Sequence, residues 1–593
     1  MAAAPTTPTA TRVASTSVSN QVPSPHYATT RRHSLYGTED RIVIDPGSRV
    51  WKVGFSGEGR PRDVFVTASP KYGSSLWSFS FGKTAAEQTD ALILLEQRLQ
   101  DLLRSVFFES LLVDSRSRKV LIAEHPLLPL AIKEALARIL FQNLQVPSIS
   151  FAPSHVLALM AAGRLTGLVL DCGYLESSAL PIYGSRPLYT SIRSTPLAGA
   201  RLGAHLRSLL LLFGSYLPPM GVVGSAPKAT SVPEDVLTDA VVEEVKTRCC
   251  FVGEPIHSSK NRPRSSSSST VAADDAVSVD TSGDSAPSES GHSRVSVEVD
   301  NPSDSASTTY PGRQLSVMRD LYVRHSSATD LRLAVPVPGA VPSGAGTSTT
   351  IRATLIIPGW VRERAAEVLF EDGDVDETSV AEVILDALLK VPIDLRKDFA
   401  SSIVVAGGTS MLPGFIPRIQ AELSRLLSPS PPPTLSIPPR VASPSTPTPA
   451  TTRFPRTSTV LTPPAKPIYD PYTVLRPLAP FIAILNNPAP PQAQSTQAKS
   501  NAGKAPAFAP ASLAWIGGSL AGALKTGGEE ILRERWDETI EEVLEDRRAV
   551  ASPDSPATPI IGRANLTTRV HVLPDWTKTP LGSGAPSVHA ASL

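Results

Sequence analysis

Three cysteines in 593 residues, Cys172 and the adjacent Cys249 and Cys250, are too few for a disulfide framework and fit a reducing compartment. Net charge is nearly absent too. With 56 basic and 55 acidic residues the balance is +1, which gives no electrostatic reason to expect nucleic acid or a membrane surface as partner. Apolar runs such as Leu209 to Phe213 are far too short to span a bilayer, and the opening MAAAPTTPTATRV has no apolar leader segment. Asn565-Leu566-Thr567 has the form of a glycosylation acceptor, but without a leader it reads as coincidence.

Proline is abundant instead, at 57 residues, and much of it lies in Ser/Thr/Pro blocks. Setting these blocks aside leaves roughly 370 residues able to form a core. Residues 1–39 are expected to be a disordered tail, and 551–593 a C-terminal tail. Between them, 40–550 reads as one α/β domain with two low-complexity inserts. The first, about 257–313, includes the serine run Ser265 to Ser269 and is too polar to offset its ordering entropy. The second, about 428–507, reads as a semi-extended excursion in which the less polar Ile468 to Asn486 packs locally. Pro429 to Pro439 has a form that docks SH3-like domains, although low-complexity insertion is the simpler reading. Arg31-Arg32-His33-Ser34 is a short basic patch in the N-terminal tail.

The ordered part is organised around two similar hairpins. Ile42, Val43 and Ile44 run into Asp45, Pro46-Gly47 turns the chain, and Val50, Trp51, Val53 and Phe55 return as a strand. Leu168 to Leu170 run into Asp171-Cys172-Gly173 in the same way, and Ala179 to Tyr183 return. Two hairpins with a carboxylate at the tip suggest two related halves facing one cleft. A glycine at such a turn admits a polyphosphate, and an aspartate at a strand end holds hydrated Mg²⁺ beside it. A third element, Ser402 to Ala406, is a buried-type strand followed by Gly407-Gly408-Thr409 and a helix opened by Pro413. Leu92, Leu95, Leu99, Leu102, Leu103 and Val106 mark an amphipathic helix, as do Ile132, Leu136, Ile139 and Leu140 after the strand Val120 to Glu124. Further helices are expected over Phe151 to Ala162, over Glu234 to Arg248, and from Val361 and Ser379.

In order, the three elements resemble the phosphate-1, phosphate-2 and adenosine motifs of the actin fold, shared by actin, sugar kinases and Hsp70-type chaperones. Gly163-Arg164-Leu165-Thr166-Gly167, Lys246 with Cys250-Phe251-Val252, and Ala514-Trp515-Ile516-Gly517-Gly518-Ser519 resemble actin and the actin-related proteins in particular. The resemblance implies two related lobes around a nucleotide cleft, with ATP or ADP and Mg²⁺ as cofactor. It places Asp45 and Asp171 toward the metal through water, and Gly47, Ser48, Lys52 and Gly173 beside the phosphates. Lys246, Gly407, Gly408 and Thr409 fall on the adenosine side.

Departures from the family pattern are equally specific. Arg49 stands where the family has a phosphate-touching glycine, Tyr174-Leu175 replace Asp-Gly, and Thr247 replaces a glutamate. Ser154, beside His155, takes the place of the water-positioning glutamine, and Ser178 that of the catalytic histidine. Hydrolysis needs an oriented, polarised water, so nucleotide binding is expected without hydrolysis and no catalytic residue is assigned. Only about 25 residues, Phe65 to Asp90, cover the interval that carries subdomain 2, which must be reduced or missing. The segments Asp171 to Ser177, Leu180 to Tyr183 and Lys246 to Val252 look like the divergent actin-related proteins at the pointed end of dynactin. This implies a cytoplasmic, cytoskeletal, non-catalytic capping subunit. Its partners would be the actin-related filament subunits and other dynactin pointed-end subunits, with no nucleic acid and no direct membrane contact. Two alternatives stay open: a nuclear actin-related subunit of a chromatin-remodelling or acetyltransferase complex, and an active actin-type ATPase or sugar kinase.

Overall fold

The computed structural model describes residues 41–67, 76, 84–219, 228–256, 311–337, 352–371, 377–428, 470–492, 494–550 and 572–575. Both expected hairpins form. β1 (Ile42–Pro46) pairs antiparallel with β2 (Val50–Phe55), which pairs with β3 (Asp63–Val66). β4 (Val120–Glu124) lies parallel to β1, β5 (Ser148–Pro153) parallel to β4, and β14 (Glu530–Leu532) closes a six-stranded sheet in the order β14-β5-β4-β1-β2-β3.

The second sheet repeats the plan. β6 (Gly167–Cys172) pairs antiparallel with β7 (Ser177–Tyr183), and β13 (Ile403–Ala406) lies parallel to β6 as β4 does to β1. The short β8 (Arg186–Pro187) and β9 (Arg193–Thr195) both pair with β7. The repeat reaches single residues, because Asp45 faces Lys52 across its hairpin and Asp171 faces Ser178 across the other. A third sheet, in the order β10-β12-β11, joins β10 (Ser215–Leu217), β11 (Leu331–Pro336) and β12 (Arg352–Ile357). This is the expected α/β architecture of two related lobes.

Helices cover the sheets where the apolar spacing placed them. α1 (Ala85–Ser105) starts at a capping box in which Thr84 accepts from the Glu87 N–H, and Leu95, Leu99 and Leu103 on its inner face are buried. α2 (Leu130–Arg138) and α3 (Ser154–Ala161) follow β4 and β5, and α4 (Gly199–Phe213) follows β9. Eighteen positions, 67–84, separate β3 from α1, and the described residues among them form no further strand. α8 (Leu513–Leu524) carries the Trp-Ile-Gly-Gly motif: Trp515 is buried and donates from Nε1 to Val43 O at 3.2 Å. Gly517 is needed for packing, since a Cβ there would lie 1.8 Å from Leu157 O on α3.

Several boundaries differ from the sequence reading. The helix expected over Glu234 to Arg248 is α5 (Asp239–Cys249), capped by Thr238, with a separate 3₁₀ turn at Glu234–Val236 before it. α6 (Val380–Lys390) starts at Ser379 as expected. Pro413 does not open the next helix. α7 (Phe415–Leu427) begins after Gly414, which has φ +85° and where a Cβ would lie 2.4 Å from Val252 O, so both conformation and space favour glycine. α8 (Leu513–Leu524) and α9 (Arg533–Val550) end the expected domain.

The largest correction concerns the proline-rich stretch. Residues 429–469 lie outside the described residues, as do the N-terminal tail and most of the first insert. From Asp470 onward, however, the chain packs into the second lobe well beyond the expected local contact. Pro471–Phe481 forms a 3₁₀ helix, Leu475, Ala483 and Ile484 are fully buried, and Ile484 bridges Ile403 of β13. Asn486 completes the join, donating from Nδ2 to Val405 O at 2.7 Å and accepting from Val405 N–H at 3.1 Å. Its amide thus acts like one more strand residue. In the C-terminal tail, Leu573 is buried in the first lobe and Pro574 O accepts from Lys133 Nζ at 2.7 Å.

Candidate functional site

The site lies where the tips of the two hairpins meet the Gly407 turn. Asp45 ends β1, and Lys52 of β2 reaches it at 2.8 Å. Gly47 makes the tight turn between them: its N–H donates to Asp45 O at 3.0 Å, and a Cβ would lie 2.4 Å from Val50 O. Ser48 is half-buried in the same turn. Opposite, Asp171 ends β6, and Gly173 N–H closes the second turn onto Glu176 O at 3.0 Å.

The third element locks onto the second. Thr409 Oγ1 donates to Gly173 O at 2.6 Å. Gly407 has φ +93°, and a Cβ there would stand 2.2 Å from Cys172 O and 2.5 Å from Asp171 Oδ1, so both backbone conformation and space demand glycine. Gly408 faces open space. Lys246 of α5 points at the same place, bonded to Glu243 at 2.6 Å and to Gly199 O at 3.4 Å. Burial lowers its pKa against the opposing pull of Glu243. Asp171, Gly173, Lys246, Gly407 and Thr409 are thereby brought together, and Asp45 with Lys52 faces them from the first lobe.

The substituted residues fill this region. The Arg49 guanidinium lies 4.8 Å over the Tyr174 ring, donates to its hydroxyl at 3.1 Å, and reaches Glu243 at 3.6 Å. Lys246 Nζ approaches the same ring from 5.6 Å. Asp45 and Asp171 are placed to face the Mg²⁺ of a nucleotide and Lys52 to meet its phosphates, while Glu243 already offsets part of the charge of Arg49 and Lys246. The Arg49–Tyr174 stack, however, stands beside the turns that a polyphosphate would approach.

Sequence reasoning missed His125, one residue beyond β4. Its Nε2 lies 3.0 Å from Ser178 Oγ, and His155 Nε2 lies 3.0 Å from the same oxygen. The rings meet edge-on at 5.4 Å. Burial holds both below the usual histidine range, His155 at about 4. Ser178, read from sequence as the loss of a catalytic histidine, therefore sits between two imidazoles contributed by other elements. A polar residue at the C-terminal end of a parallel strand was the available signal.

Comparison with known proteins agrees with this geometry. The actin family profile matches residues 37–448. Actin-like protein 9 of Bos taurus is 24% identical over 405 residues, covering 65% of this chain and 75% of that protein. An actin-like protein of Neurospora crassa is 24% identical over 410 residues, covering 65% and 83%. Centractin of Schizosaccharomyces pombe is 28% identical over 235 residues, covering 37% and 58%. With its two paired hairpins, its Gly407 turn and a profile match over most of its length, this chain belongs to the actin family.

Proposed function

We propose that this protein is a non-catalytic actin-related subunit that caps the pointed end of the actin-related filament in dynactin and so supports dynein-based transport along microtubules. The observation that carries the reading is the interval of eighteen positions between β3 and α1. In an actin-type filament the barbed face of one subunit (subdomains 1 and 3) sits on the pointed face of the next (subdomains 2 and 4). A chain that keeps the first face and has little of subdomain 2 can join an end and stop growth there, making a heterologous contact non-propagating. A stable interface buries on the order of 1,200 Å² or more, and a reduced subdomain removes much of one side's share. The partial similarity to centractin is in keeping with an actin-related context. The partners are then the filament subunits and the other pointed-end subunits, in the cytoskeleton.

In this reading ATP or ADP with Mg²⁺ is a structural ligand. Asp45, Lys52, Asp171, Lys246, Gly407, Gly408 and Thr409 would hold it, and binding would stabilise the closed lobes by mass action. Ser154 and Ser178 at the water-handling positions support binding without turnover.

Imaging the purified assembly tests the capping role. The chain is expected at the pointed end only, and finding it mid-filament or at the barbed end refutes capping. Arg533→Glu with Arg535→Glu, exposed on α9, should weaken attachment more than Arg563→Glu, which lies outside the described residues.

A further inference from the structure

His125, His155 and Asp171 come from three separate elements, the end of β4, the first turn of α3 and the end of β6. Their ligating atoms all lie within 4.8 Å of one another. Donors of a single zinc-type ion, bonded at about 2.0–2.2 Å, are at most about 4 Å apart, so a small side-chain movement closes the set. We propose that the imidazoles of His125 and His155 and the carboxylate of Asp171 form a binding site for a divalent transition-metal ion, independent of the capping role and sharing Asp171 with the nucleotide site.

Three further observations support it. Both imidazoles turn Nε2 inward onto one point, Ser178 Oγ, at 3.0 Å each. Their outer nitrogens are oriented from behind: His125 Nδ1 faces Glu176 Oε1 at 3.3 Å, and His155 Nδ1 faces Ser154 Oγ at 3.3 Å. A carboxylate behind a ligating histidine fixes the tautomer whose Nε2 is free for metal. Leu127 N–H also reaches His125 Nδ1 at 3.3 Å and favours the opposite tautomer, so metal binding would shift that proton to the Glu176 side. Finally, the half-buried Asp171 carboxylate lies within 4.8 Å of the ligating atoms of both imidazoles, so a cation held by them would meet its negative charge.

Two nitrogens and one oxygen select zinc, cobalt, nickel or copper over Mg²⁺, which prefers an all-oxygen shell. Three protein ligands leave a position open, beside Ser178, for water or substrate oxygen.

Titration of the full-length, chelator-treated chain with Co²⁺ alone tests this. The expected result is a visible ligand-field band of low-coordinate, nitrogen-bound cobalt. It should saturate at one equivalent, be displaced by Zn²⁺ and be unaffected by excess Mg²⁺. His125→Ala, His155→Asn and Asp171→Asn should each weaken binding at least about 10- to 100-fold, since loss of even an outer partner costs that much. A wild-type chain showing only the weak spectrum of hydrated cobalt overturns the proposal without recourse to any variant. So does binding that survives all three substitutions in chains shown by circular dichroism to be folded.

Discussion

The Arg49 guanidinium lies 4.8 Å over the ring of Tyr174 and joins the turn of the first hairpin to the turn of the second. One residue is on each lobe, so the stack is a direct strut between them. Replacing Tyr174 with Ala should cost about 1–2 kcal/mol, the value of a partly buried cation–π contact, and should speed amide exchange in both turns. Arg49→Gly should also destabilise the chain, yet tighten Mg·ATP binding about tenfold by freeing the turn, an effect equal to about 1.4 kcal/mol. Calorimetric titration of ATP into both chains decides it, and weaker binding by the glycine variant would contradict obstruction of the turn by Arg49.

The two adjacent glycines should behave differently. Gly407→Ala forces a Cβ onto Cys172 O and strains a backbone at φ +93°, so it should lower stability by about 1–3 kcal/mol or more. Gly408→Ala meets open space and should be nearly neutral. Urea midpoints of the two variants measure the difference.

Leu475 and Ile484 are fully buried within a stretch that composition alone marks as expendable. Leu475→Ala and Ile484→Ala should each cost about 2–5 kcal/mol. Excising 430–468 should change thermal stability little, because loop length enters closure entropy only logarithmically. Loss of soluble protein on that excision would contradict the expectation.

His205 on α4 is buried with Nε2 unpartnered among the described residues, and burial, assisted by Arg201, lowers its pKa to about 4. Between the ordinary value near 6.5 and about 4 the unfolded chain binds the proton and the folded chain does not. Stability is therefore complete above about pH 6.5 and falls on acidification through that window, by roughly 3 kcal/mol for this group. His205→Leu should flatten that part of the stability–pH curve, as followed by chemical denaturation at successive pH values.

What could be read in the sequence was local. Asp45 and Asp171 were legible because each lies within a few residues of its own turn, where alternation and glycine act together. Gly407 and Thr409 were legible for the same reason. His125 was not, since its contact with Ser178 spans 53 residues and depends on how β4 and β7 meet. The docking of Pro471–Phe481 was masked by its prolines, which read as excursion although Leu475 and Ile484 supply the burial. Arg49 was read as an obstacle to phosphate, and its stacking on Tyr174 follows only from the meeting of two hairpins.

Arg41 pairs with Glu530 at 2.9 Å across 489 positions of chain, Val43 O accepts from Trp515 across 472, and Lys133 is held by Pro574. The first lobe is thus begun by segments that are made long before those that finish it. While the intervening chain is being made, at about 5–20 residues per second, the β1 sheet lacks its β14 edge and its Trp515 cover. The nascent protein therefore carries a half-built apolar face for tens of seconds, until the segments that close it are made.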